Sequence, residues 1–181
     1  MAQGATIHRF HVELSDVGRG VYESLDIRVA RHASEDERFM LARVLAYALE
    51  YEEGIEHARG PWLPEEPALW VRNLRGEVQT WIEVGQPSAE RLHKAAKNAP
   101  RVAVYMQREP SPWLRDLAKA TIHRRDELEL WELPSSLLDG LENDLGRQER
   151  WTLTVTEGTL FLTRGEETLE GALARHELGS Y

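Results

Sequence analysis

The sequence predicts a mixed α/β fold, with a central mixed sheet flanked by helices and a β-hairpin towards each end of the chain. Three observations predict it. Apolar residues alternate with polar ones near both termini, a capped apolar helix follows the first such pair, and from Ile82 onward strand and helix signals follow in the order β-α-β-α-β. That order favours parallel strands joined by right-handed crossovers. With 181 residues, 41% of them hydrophobic, and no internal repeat, residues 1–181 read as a single domain.

Each element has its own local reason. Thr6, His8, Phe10, Val12 and Leu14 alternate towards a turn made by Asp16, Gly18 and Gly20, and Leu25, Ile27 and Val29 follow it as the return strand. Ser34 is the expected N-cap of the next helix, with Glu37 as its capping-box acid. Leu41, Val44, Leu45, Ala48 and Leu49 then recur at helical spacing, and the helix is expected to end near Gly54. Residues 59–67, RGPWLPEEP, hold three prolines and form a loop. Residues 68–73 and 78–84 flank a Leu-Arg-Gly-Glu turn and predict a hairpin. Beyond it the pattern predicts a helix over 89–98, a strand over 102–105, a helix over 110–120, a strand over 128–131 and a short helix over 135–141. A second hairpin over 151–156 and 160–164 follows.

Composition narrows the chemistry. The chain has no cysteine, which removes disulfides, thiolate zinc sites, iron–sulfur clusters and a cysteine nucleophile. No apolar run is long enough to span a bilayer and no leader is apparent, so the expectation is a cytoplasmic protein without membrane association. The phosphate-binding glycine loops, the nucleophile elbow and the HExxH metal helix are all absent. Against 22 Lys and Arg stand 31 Asp and Glu, a net charge of -9, which repels nucleic acid as a whole. The charge is uneven, however. Residues 91–125 carry nine basic residues against two acids, or +7, leaving -16 for the remainder. Arg91, Lys94, Lys97 and Arg101 are therefore candidates for contact with the phosphates of DNA or RNA, the plainer alternative being solvated helix faces paired with acids from elsewhere.

One carboxylate stands out. On the strand over 78–84, Ile82 and Val84 face one way while Trp81, Glu83 and Gly85 face the other. A carboxylate beside Trp81 on an apolar strand requires a cation, a set of hydrogen bonds or a metal. A salt bridge to an arginine or lysine at the strand end is the plainer reading.

The segments Arg31-His32-Ala33-Ser34-Glu35, Glu66-Pro67-Ala68-Leu69-Trp70 and Trp81-Ile82-Glu83-Val84-Gly85-Gln86-Pro87, followed by Lys94-Ala95, resemble the YaeQ family of small bacterial proteins over essentially the whole chain. That family is assigned to the PD-(D/E)XK nuclease-like superfamily, so the resemblance implies a restriction-endonuclease-like mixed sheet flanked by helices. In that superfamily two carboxylates and a lysine gather around Mg²⁺, which activates water for attack on a phosphodiester. Glu83 matches the acid of the second strand. Gly85 stands where the motif has lysine, and Ala68 where it has the first acid. The resemblance then implies Glu83 with Glu65, Glu66 or Glu35 as metal ligands, Lys94 as a displaced lysine, and Gln86 as a further candidate catalytic residue. Glu37 is a weaker candidate because a first-turn acid already meets the helix dipole. Two functions follow: a divergent Mg²⁺-dependent nuclease, or a catalytically inactive nuclease-like protein that binds nucleic acid or a protein of the transcription or repair apparatus.

Overall fold

The computed structural model describes residues 4–59 and 63–180, so the middle of the proline-rich loop lies outside the described residues. Its strands are β1 (Thr6–Asp16), β2 (Val21–Arg31), β3 (Ile55–His57), β4 (Leu69–Arg72), β5 (Val78–Val84), β6 (Arg101–Met106), β7 (Glu129–Glu132), β8 (Gln148–Thr156), β9 (Thr159–Arg164), β10 (Glu167–Ala172) and β11 (Ala174–His176). Its α-helices are α1 (Glu37–Leu49), α2 (Ala89–Asn98), α3 (Ser111–Ala118) and α4 (Ser135–Glu142). The fold is mixed α and β, with two mixed sheets and these four helices. The chain forms two compact units, one of residues 1–49 and 133–174, the other of residues 50–132 and 175–181.

In the first unit a five-stranded sheet runs β10-β9-β8-β1-β2. The two expected terminal hairpins are both present. They are joined side by side, because β1 pairs in parallel with β8. Phe10, Val12, Leu14, Leu25, Ile27, Val29, Trp151 and Leu153 alternate onto the buried face, as the period of two requires. β10 adds a strand that the apolar pattern does not announce. It is an edge strand whose residues are exposed or half-buried, and its antiparallel ladder with β9 supplies what alternation does not.

The start of α1 differs from expectation. Ser34 is not the cap: its hydroxyl bonds His32 Nδ1. Asp36 Oδ1 instead accepts from the Phe39 amide at 2.7 Å, and the Asp36 carbonyl accepts the Met40 amide at 3.2 Å. Glu37 therefore begins the helix rather than closing a capping box. The helix thus starts two residues later than a Ser34 cap would set it, and Glu35, ahead of it, turns inward. Asp36→Ala is expected to cost about 1 kcal/mol in urea unfolding and Ser34→Ala close to nothing.

In the second unit a six-stranded sheet runs β11-β7-β6-β5-β4-β3. β3, β4 and β5 are antiparallel, while β5, β6 and β7 are parallel, as the alternating strand and helix signals imply. Trp81, Leu92, Ala95, Val102, Val104, Met106, Leu114 and Leu130 belong to one core cluster. β3 and β11, of three residues each, are too short to show a period in sequence. Gly54 enters β3 with φ 97°, and a Cβ there would lie 2.2 Å from the Arg72 carbonyl oxygen, so the β3–β4 pairing depends on its missing side chain. No helix among the described residues is long and apolar enough to cross a membrane.

Candidate functional site

β5 ends at Val84, and α2 begins five residues later with Ser88 as its N-cap. Ser88 Oγ accepts the Arg91 amide at 3.2 Å, which sets Arg91 in the first turn of the helix, facing the end of β5. There it meets Glu83, which is only 2% exposed. Glu83 Oε1 accepts from Arg91 Nε at 2.7 Å and from Trp81 Nε1 at 2.7 Å. The indole and the carboxylate share a face because they lie two residues apart on one strand. Burial pushes the Glu83 carboxyl above its ordinary range, while the Trp81 N–H and the Arg91 charge act against that rise.

Arg91 also reaches the proline-rich loop. Its Nη1 donates to the Pro64 carbonyl at 3.3 Å and its Nη2 to the Glu66 carbonyl. One guanidinium thus ties the described end of that loop to the carboxylate of β5. Gly85 closes the strand with φ 92°, its amide bonded to the Tyr105 carbonyl at 2.9 Å. Glycine adopts that backbone freely, whereas a lysine at position 85 would be strained. Ala68, just past the proline-rich loop, is fully buried.

The remaining candidates are dispersed. The Glu66 carboxylate is held by Arg59, with Oε1 2.7 Å from Nη2 and Oε2 2.8 Å from the Arg59 amide, and these bonds keep it below the ordinary carboxylate range. Glu65 is exposed. Lys94 is 62% exposed and lies 3.6 Å from Glu90 on its own helix. Gln86 is exposed and donates to the Glu109 carbonyl at 3.0 Å. Glu35 belongs to the first unit, where both of its oxygens are taken up by Arg43 at 2.7 Å. Glu37 lies 3.7 Å from Arg31. Among the described residues, no three His, Asp or Glu side chains gather in a way that could hold a metal ion.

The basic segment is largely engaged inside its own unit. Arg101 is clamped between Glu50, at 2.6 and 2.9 Å, and Glu129, while the Tyr105 hydroxyl donates to Glu50 at 2.6 Å. Burial works against the Arg101 charge, but the bonds to Glu129 and Glu50 outweigh it and raise the guanidinium far above its ordinary range. Arg124 donates to the carbonyls of Ala96, Ala99 and Pro100, closing the end of α2, and Arg125 donates to the Ala118 carbonyl at the end of α3. Lys97 remains exposed in the last turn of α2.

A family model described as YaeQ protein matches residues 1–173. The chain belongs to the YaeQ family. Among its YaeQ relatives, the Escherichia coli K12 protein is 28% identical over 172 residues and the Salmonella typhi protein 29%, with 94% of each chain covered in both comparisons. The crystal structure of the YaeQ protein from Pseudomonas syringae superimposes with a TM-score of 0.84 at 34% identity, covering 94% of this chain and 95% of that one. The YaeQ protein from Xanthomonas axonopodis pv. citri gives 0.86 at 27% identity, covering 96% and 98%.

Two ion-pair centres of this YaeQ fold escape a reading by spacing. Glu35–Arg43 and Glu50–Arg101–Glu129 join residues 8 to 51 positions apart in the chain. The first of them and the Arg91–Glu83 contact each left a faint signal. Arg43 lies within 40–46, a stretch buried on every side of α1, so its charge demands an internal partner. Arg91 occupies a first helical turn, where the dipole favours acids, so something other than the helix holds it there.

Proposed function

We propose that this YaeQ-family chain is a catalytically inactive relative of the PD-(D/E)XK nucleases that works by binding a partner. The observation that carries the reading is the Arg91 guanidinium on Glu83. The one motif acid retained on β5 is neutralised by a side chain of the protein itself. Gly85 and Ala68 offer no side-chain donor atoms, and the Glu66 carboxylate is held by Arg59. Glu65 is exposed, but no three His, Asp or Glu among the described residues gather with it or elsewhere, so the donor set does not fit Mg²⁺, which needs near-octahedral oxygen ligands.

The partner is a nucleic acid or a protein of the transcription or repair apparatus. The internal bonds of Arg91, Arg101, Arg124 and Arg125 favour the protein, because they remove four arginines from the segment that would otherwise track a phosphate backbone. Incubation with single- and double-stranded DNA and RNA in Mg²⁺ or Mn²⁺ is expected to yield no cleavage, and calorimetric titration with either metal no saturable binding. Gly85→Lys, which writes the motif lysine back, is expected to create no activity and to lower stability by about 1–3 kcal/mol through its positive φ. Metal-dependent cleavage that Glu83→Gln abolishes would overturn the proposal.

A further inference from the structure

The outward face of the five-stranded sheet carries a cluster of arginines that the fold leaves unpaired. Arg9 on β1 is the register partner of Arg28 on β2 and of Gln148 on β8. One step along the same face, His11 is flanked by Asp26 on β2 and Arg150 on β8. Arg9, His11, Asp26, Gln148 and Arg150 line a cleft of about 410 Å³ together with Glu149, and Arg28 stands beside it, opposite Arg9.

Two like charges directly opposite each other on a sheet are destabilising, and their Cα atoms here are only about 5 Å apart. Some exposed arginines of this chain are found against a carboxylate, as Arg19 is against Asp16 and Arg59 against Glu66. Arg9, Arg28 and Arg150 are not: none of them forms an ion pair or a side-chain hydrogen bond among the described residues. Asp26 makes no ion pair either, and the next acid on the face, Glu13, is bonded to His11 at 2.8 Å and to Ser24 at 2.6 Å. Asp26 and Glu149 balance the charges of Arg9 and Arg150 in the lining, and Arg28 beside it leaves a net +1, presented by guanidinium forks that match the oxygens of a phosphate group. Its volume is that of a small-ligand site.

We propose that this cleft binds the phosphate group of a small phosphorylated molecule, with Arg9 and Arg150 donating to its oxygens and Arg28 supplying further charge. The site lies wholly within the first unit and does not depend on the reading of Glu83, so it stands or falls separately from the absence of nuclease chemistry.

The test is calorimetry and thermal unfolding in phosphate-free, low-salt buffer with inorganic pyrophosphate as the probe, beside an oligonucleotide lacking terminal phosphates. Saturable pyrophosphate binding with a rise in Tm is expected. In the double variant Arg9→Thr and Arg150→Thr that binding weakens roughly tenfold or more, as the loss of charge-assisted bonds requires. The exposed control Arg75→Thr, in the turn between β4 and β5, retains it. Arg9→Thr alone is expected to match or exceed the unliganded wild-type Tm, because it removes the opposed charge. Binding of pyrophosphate but not of the oligonucleotide assigns the site to a small phosphorylated molecule, and tighter oligonucleotide binding that the double variant abolishes would overturn that assignment in favour of a phosphodiester backbone. No binding, binding retained in the double variant, or equal loss in Arg75→Thr would overturn the site altogether.

Discussion

Arg43→Ala is expected to destabilise the chain by about 3–5 kcal/mol, read as a fall in the urea midpoint with little change in m. Arg43 and Glu35 side chains are 4% and 0% exposed, and they meet as a two-pronged pair with both contacts at 2.7 Å. Arg43 also donates to the Ala30 carbonyl at 3.1 Å, at the end of β2. Removing the cation leaves a carboxylate in the interior with only the His32 amide, at 3.1 Å, to hold it. The same geometry sets a second expectation. Removing both partners, Glu35→Ala with Arg43→Ala, costs less than the sum of the single changes, since the larger part of each single penalty is the charge left behind. Additive losses in that cycle would show that the pair is not coupled.

Arg91→Met is expected to cost about 3 kcal/mol near neutral pH, the lower end of the range for a buried pair because the Arg91 side chain is 19% exposed. Here the pH dependence is diagnostic. Burial already raises the folded-state Glu83 carboxyl above its unfolded value, so the stability of the protonated form is fully present below the ordinary carboxylate range. It is lost as pH rises through the raised value. Methionine removes the cation that opposes the rise, and the folded-state carboxyl moves up further. The deficit of the variant relative to the wild type is therefore largest at neutral pH and shrinks on acidification. A deficit independent of pH would mean that Arg91 acts only through the Pro64 and Glu66 carbonyls and not through Glu83.

Both expectations concern residues whose importance a linear reading half discerned. Glu83 is legible as a carboxylate that must be partnered, because the period of two puts it beside Trp81 on a dry strand. The partner was not legible, since Arg91 looks like one more cation in a basic run. Glu35 is the reverse case: the resemblance implies it as a metal ligand, and its carboxylate is the counterion of an arginine eight residues on. The charge count over 91–125 is correct as arithmetic and misleading as a surface, because four of its arginines hold carboxylates or helix-end carbonyls of their own unit. Conversely, Arg9, Arg28 and Arg150 are far apart in sequence, and strand pairing alone assembles them.

The sequence by itself determined the α/β class, both hairpins, the span of α2, the Glu83 carboxylate in need of a partner, and the resemblance to the YaeQ family. These follow from local periodicity, from capping chemistry and from ordered motifs, all of which are written in neighbouring residues. Only the tertiary structure decided that the terminal hairpins share one sheet, that Arg91 neutralises Glu83, and which arginines remain unpaired. Periodicity reports which side of an element is dry, whereas an ion pair depends on distance through space between residues that the chain keeps apart.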